Sequence, residues 1–136
     1  MFSKGDSFCL DVSYTTQMAD KVFDAVQHNR EDEIREYFQD KAIKVWNIKD
    51  ERGFTLLHRA VFNDNGQLVV LILEELKKRI GMNYRNILEK FINDKSQEGL
   101  TAIHYAAYKG NIRIAKTLYE NGARKNIIFF IIFIRF

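Results

Sequence analysis

Apolar residues along the middle of the chain recur at helical intervals. Leu68, Val69, Ile72 and Leu73 fall at i, i+1, i+4 and i+5, and Ile114, Ala115, Leu118 and Tyr119 repeat that stripe. Steps of three and four place such side chains on one face of an α-helix, so each stripe predicts an amphipathic helix with a polar back. Tyr84, Ile87, Leu88 and Phe91 at i, i+3, i+4 and i+7 predict a further helix, and Gly81 separates it from the one before. Upstream, the small pair Ala25 and Val26 precedes a fainter stripe of Ile34, Tyr37 and Phe38. The pattern breaks only at the close, where Ile127 to Ile134 are eight consecutive β-branched or aromatic residues without charge. Such a run is too short to span a bilayer and is prone to aggregate if exposed.

The stripes belong to a repeat. Setting WNIKDERGFTLLHRAVFNDNGQLVVLIL beneath INDKSQEGLTAIHYAAYKGNIRIAKTLY aligns Asn47 with Asn93, Gly53 with Gly99, Thr55 with Thr101, His58 with His104, and Ala60 with Ala106. Gly53 and Gly99 stand where a turn needs positive φ, and Thr55 and Thr101 where a helix N-cap belongs. Ala60, Ala106 and Ala107 are small enough for neighbouring helices to approach closely. Each unit therefore reads as a tight turn and a capped helix followed by a second, striped helix.

These residues resemble the ankyrin repeat, whose T-P-L-H-x-A pattern is carried by Thr55 to Ala60 and by Thr101 to Ala106 without the Pro. The closing NGARKN at 121–126 is similar to the family's N-G-A-D-x-N ending, with Arg124 where Asp is usual. The resemblance implies an all-α solenoid of stacked helix-turn-helix units joined by hairpin-like loops. Its expected extent is 18–126, in units at about 18–46, 47–92 and 93–126, after a flexible lead-in at 1–17 and before the apolar tail 127–136. Ala25 to Ala60 spans 35 residues and Ala60 to Ala106 spans 46, so the second unit carries an insertion of 13 residues near 79–91. Its stripe is expected to pack on the solenoid. The tail has three readings: an extended segment folded back on the last helices, a membrane-surface anchor, or a chain that ends before its next repeat. The last is the reading adopted.

Histidines invite a chemical reading, and the composition argues against one. A zinc pair at His58 and His104 lacks a third and fourth ligand, because Cys9 is the sole cysteine and His28 lies in another unit. No nucleophile and orienting acid recur beside the histidines, and no Gly-rich phosphate loop or metal spacing occurs. In the resemblance these histidines tie the turns through hydrogen bonds to backbone and to the Thr side chain. Gly53, Thr55, His58, Ala60, Gly99, Thr101, His104, Ala106, Gly110 and Gly122 are thus expected to build the fold. No enzyme activity, cofactor, metal or small-molecule substrate is expected.

Charge divides along the 136-residue chain. Residues 1–76 hold nine Lys/Arg against fourteen Asp/Glu, and residues 77–136 hold twelve against four. One acidic and one basic pole follow, but no aromatic-interleaved RNA motif or base-reading helix accompanies the basic one, so no nucleic-acid partner is expected. One cysteine excludes an internal disulfide and fits a cytoplasmic, reducing setting. The first residues lack the apolar run of a signal peptide, and no stretch is long enough to cross a membrane.

The resemblance implies a protein-binding module with turns and first helices lining a groove. Groove positions are then Asp24, Gln27 and His28 in the first unit, Arg59, Phe62 and Asn63 in the second, and Tyr105, Tyr108 and Lys109 in the third. Turn tips carry Asp50, Glu51 and Arg52, then Ser96, Gln97 and Glu98. Partly exposed Phe62, Tyr105 and Tyr108 are the expected anchors. The alternative expectation is the N-terminal ankyrin region of a larger membrane protein, such as an ankyrin-bearing protein S-acyltransferase, with membrane association through the longer chain.

Overall fold

The computed structural model describes residues 4–124. Helix α1 runs Lys4–Gln27, α2 Glu31–Gln39, α3 Leu56–Phe62, α4 Gly66–Ile80, α5 Tyr84–Ile92, α6 Ala102–Lys109 and α7 Ile112–Glu120. Short 3-10 turns occupy Val45–Asn47 and Gly81–Asn83, and no strand forms among the described residues. The apolar tail 127–136 and its three readings lie outside the described residues. The segment expected as a flexible lead-in is helical from Lys4 onward, since neither Pro nor Gly interrupts the chain between Gly5 and Gln27.

Helices pair as α1 with α2, α3 with α4, and α6 with α7. First helices then stack as α1, α3, α6, and second helices as α2, α4, α7. Most of the predicted stripe residues face inward: Ile34 and Phe38, then Leu68, Val69, Ile72 and Leu73, then Ile114, Ala115 and Leu118 are buried, whereas Tyr37 is half-buried and Tyr119 is exposed. Ala25, Ala60 and Ala106 are fully buried on successive first helices, where a larger side chain would hold the layers apart. Helix α5 packs against α4 with Leu88 and Phe91 buried and Ile87 half-buried, so the insertion extends the core as expected.

Helix ends follow from local chemistry. Asn65 and Asn111 cap α4 and α7, their side chains accepting from Leu68 N at 3.1 Å and Ile114 N at 3.0 Å. Between first and second helices the chain passes through positive φ at Asn29, Asp64 and Gly110, residues that tolerate this conformation. Gly81, at φ +61, ends α4 and turns the chain into the insertion.

The turns before α3 and α6 share one design. Gly53 N donates to Asp50 O and Gly99 N to Ser96 O, each at 2.9 Å, with Gly last in the turn and Asp or Ser first. Gly53 has φ +74 and Gly99 φ +79. The two positions differ in their surroundings. Gln97 N donates to Arg52 O at 3.0 Å, bringing the third unit's turn against the second's, so a Cβ on Gly53 would meet Gln97 N at 2.9 Å. A Cβ on Gly99 would meet nothing within 4 Å. Gly99→Ala is therefore expected to cost only the conformational penalty, about 1–2 kcal/mol. Gly53→Ala should cost clearly more, because the inter-turn contact must also open. Urea denaturation of the two variants checks the order, and equal losses would remove the close-approach argument.

Candidate functional site

His58 and His104 organise the ends of α3 and α6 from inside. Thr55 N donates to His58 Nδ1 at 3.0 Å while Thr55 Oγ1 accepts from His58 N at 3.3 Å, a reciprocal cap. Thr101 N likewise donates to His104 Nδ1 at 2.9 Å. Because Nδ1 accepts, the ring proton of His58 sits on Nε2, which donates to Leu100 O of the next unit at 3.2 Å. His58 thus caps its own helix and holds the neighbouring turn. Burial lowers the pKa of both histidines from 6.5, opposed at His58 by the hydrogen bond to Leu100 O and aided at His104 by repulsion from Lys95. Among the described residues no group of three or more His, Cys, Asp or Glu is placed to hold a metal.

An aromatic cluster joins the second and third units. Phe54, fully buried, stacks on His58 at 5.5 Å and meets Phe62 at 5.8 Å and Tyr105 at 5.1 Å. Arg52 and Arg59 lie over its ring at 5.9 and 5.4 Å, and Lys109 lies over Phe62 at 4.5 Å. Phe54 was not among the sequence candidates. Its place between a turn Gly and a cap Thr was the available signal.

Two expected partner contacts belong to the fold. Tyr105 is buried, its hydroxyl pairing with Ser96 Oγ at 2.9 Å, so the interior satisfies both its ring and its polar end. Ser96 is buried with it and is no turn tip. Asp50 Oδ1 accepts from Arg52 N and Phe54 N, each at 2.9 Å, and Oδ2 takes Arg59 at 2.7 Å. That carboxylate shapes its own turn and leaves little capacity for a partner. Arg59 is accordingly half-buried and held.

The remaining candidates are exposed or half-buried. In the first unit Asp24 pairs with Arg30 at 2.6 Å and with His28 at 3.1 Å, and all three are exposed. Gln27 accepts from Asn63 at 3.3 Å, linking first and second units. Phe62 is half-buried, whereas Tyr108 is 81% exposed and Lys109 is exposed beside it. Glu51, Arg52, Gln97 and Glu98 are exposed at the turns.

The histidines generate a stability test with a defined sign. With its folded pKa lowered, His58 binds fewer protons in the native state than in the unfolded chain. Its contribution is complete above the unfolded value of about 6.5 and is lost as pH falls from there through the lowered folded value. The melting temperature of the wild type should drop as pH falls below about 6.5, and His58→Gln should flatten that drop. His58→Ala should cost about 1–3 kcal/mol and exceed His104→Ala, because it also strips Leu100 O of its donor. An unchanged melting curve for His58→Ala would refute the role.

Comparison with known proteins follows this geometry. Residues 22–128 match the family described as ankyrin repeats (3 copies). Among solved structures, a chain in the crystal structure of the yeast ribosomal protein Rps3 in complex with its chaperone Yar1 matches with a TM-score of 0.66 and 23% identity. The match covers 76% of this chain and 69% of that one. A search of curated proteins finds no match. The family's unit is a structural and binding module without chemistry of its own, and its three copies correspond to the three helix pairs stacked here: the chain belongs to the ankyrin-repeat family.

Proposed function

We propose that this ankyrin scaffold binds a partner protein along the row of first helices and turn tips, with Tyr108 as the principal anchor. The observation that carries this is an aromatic ring 81% exposed on the same short helix whose other aromatic, Tyr105, is buried. Exposure of a large side chain next to a cation–π pair of Lys109 and Phe62 is an arrangement suited to a partner's apolar side chain. From that anchor the surface continues through Asn63, Arg52 and Gln97 toward Gln27, His28 and Asp24. Held side chains favour recognition, since less freedom is lost when a partner docks. An intracellular setting accompanies this reading. No described helix is long and apolar enough to cross a membrane.

The experiment is affinity capture with the full chain, followed by identification of the bound protein and titration of its binding to variants. Tyr108→Ala should weaken that binding about tenfold or more without lowering the melting temperature, since the ring is free in the native state. Ile112→Ala, an exposed apolar residue on a second helix, should leave it unchanged. Phe62→Ala is a poorer probe, because loss of packing on Phe54 destabilises the fold. Binding that survives Tyr108→Ala and fails with Ile112→Ala would overturn the proposal.

A further inference from the structure

The 13-residue insertion creates a surface that an uninterrupted repeat would lack. Helix α5 and the loop after it face the loop that follows α7 across an open cleft of about 510 Å³. That size lies in the range of ligand pockets, about 300–1,000 Å³. Asn93 fixes the two walls. Its Nδ2 donates to Glu89 O at 2.9 Å and to Gly122 O at 3.0 Å, and its Oδ1 accepts from Arg124 N at 3.1 Å. The structural work at Arg124 is therefore done by the backbone, which leaves the guanidinium free.

Three cations line this cleft, Lys90, Lys95 and Arg124, all exposed and none ion-paired among the described residues. Of the two carboxylates in the lining, Asp94 is neutralised by Lys49 at 3.0 Å, leaving only Glu89. The balance is positive, in the basic half of the chain, and Arg124 stands where the family pattern usually carries Asp. We infer that the cleft between α5 and the loop after α7 is a second docking site, which takes a carboxylate-bearing peptide segment. Arg124 suits a carboxylate because its guanidinium can donate two parallel hydrogen bonds, and Lys90 and Lys95 supply further donors on the opposite wall. A nucleic-acid backbone fits less well, since Glu89 and Asp94 interrupt any continuous track of cations for regularly spaced phosphates. This site is separate from the Tyr108 surface and does not rest on it.

The test uses the full chain and fluorescence anisotropy with three labelled probes: a peptide alternating Glu and Gly, its Lys and Gly counterpart, and a single-stranded oligonucleotide of equal charge. The Glu peptide should bind, and its affinity should fall about tenfold or more as salt rises from about 0.05 to 0.3 M. Lys90→Glu with Arg124→Glu should weaken it by about tenfold or more. Arg113→Glu, at the other end of α7, should stay within about twofold, as should Tyr108→Ala. Lys90→Gln with Arg124→Gln serves as a second double variant should the charge reversal impair folding. The proposal is overturned if the Glu peptide does not bind, if the Lys peptide binds equally, if the oligonucleotide binds more tightly, or if Arg113→Glu costs as much as the cleft variants.

Discussion

Each helix pair in this chain carries apolar side chains on two sides, and only the neighbouring pair in register covers the second. Helix α3 shows the constraint most plainly: Leu56, Leu57, Ala60 and Val61 are all buried, around most of a seven-residue helix. A helix this short has no stability of its own in water. It persists because α1 lies on one side, α6 on the other and α4 beneath. Stacking also pairs polar groups across the units, the buried His58 ring among them. Leu100 O receives His58 Nε2, and Arg52 O receives Gln97 N. Apolar contact sets the spacing of the layers, and these bonds set the register, since a slip would leave the buried His58 ring without its acceptor.

The same bonds decide which residues remain for recognition. Arg59 is drawn onto Phe54 and Asp50, Asp50 is consumed by its own turn, and Tyr105 is drawn inward by Ser96. What is left outward is a short set headed by Tyr108 and Lys109. Side-chain links between units stiffen this face further. Asn65 donates to Asn29 at 3.2 Å and Asn111 to Asp64 at 2.7 Å, so each second helix's cap holds the turn of the preceding unit. In the third unit the corresponding turn residue is Gly110, which has no side chain to continue the series.

Much of this was legible in the sequence, for physical reasons that differ by element. The second helices and α5 were plain because one face is buried and the period shows. The first helices lack a stripe, being buried nearly all round, and were found only through Thr, His and Ala at fixed offsets. Cap residues Asn65 and Asn111 each stand just before an apolar run and three residues ahead of the amide they bond, a signal that was available. Tyr105 was misplaced because position on a helix does not reveal a hydroxyl waiting inside. Asp50 was misplaced because a charged residue at a turn tip reads as solvated, although the first position of a turn favours a carboxylate bonded to its own backbone. The cleft beside α5 was invisible, since Asn93 joins it to Gly122 and Arg124 across 29 and 31 residues.

The insertion explains how a stack tolerates extra chain without losing register. Helix α4 has 15 residues against 9 in α7, so it runs six residues further, about 9 Å at the helical rise. The added length is anchored backward: Arg79 lies over Trp46 at 5.4 Å and donates to Lys41 O at 3.2 Å in the first unit's loop. Gly81 then reverses the chain, and the nine residues of α5 return along α4. An out-and-back excursion of this kind ends near where it began, so Ser96 and Gln97 still meet the turn at Arg52. An insertion of similar length without a return would carry the third turn away from Leu100's donor, and the stack would end at the second unit. The returning helix must expose its far face, and Lys90, with Lys95 in the loop that follows, meets solvent there. An addition that preserves the fold's register thereby supplies a surface that the repeat itself does not encode.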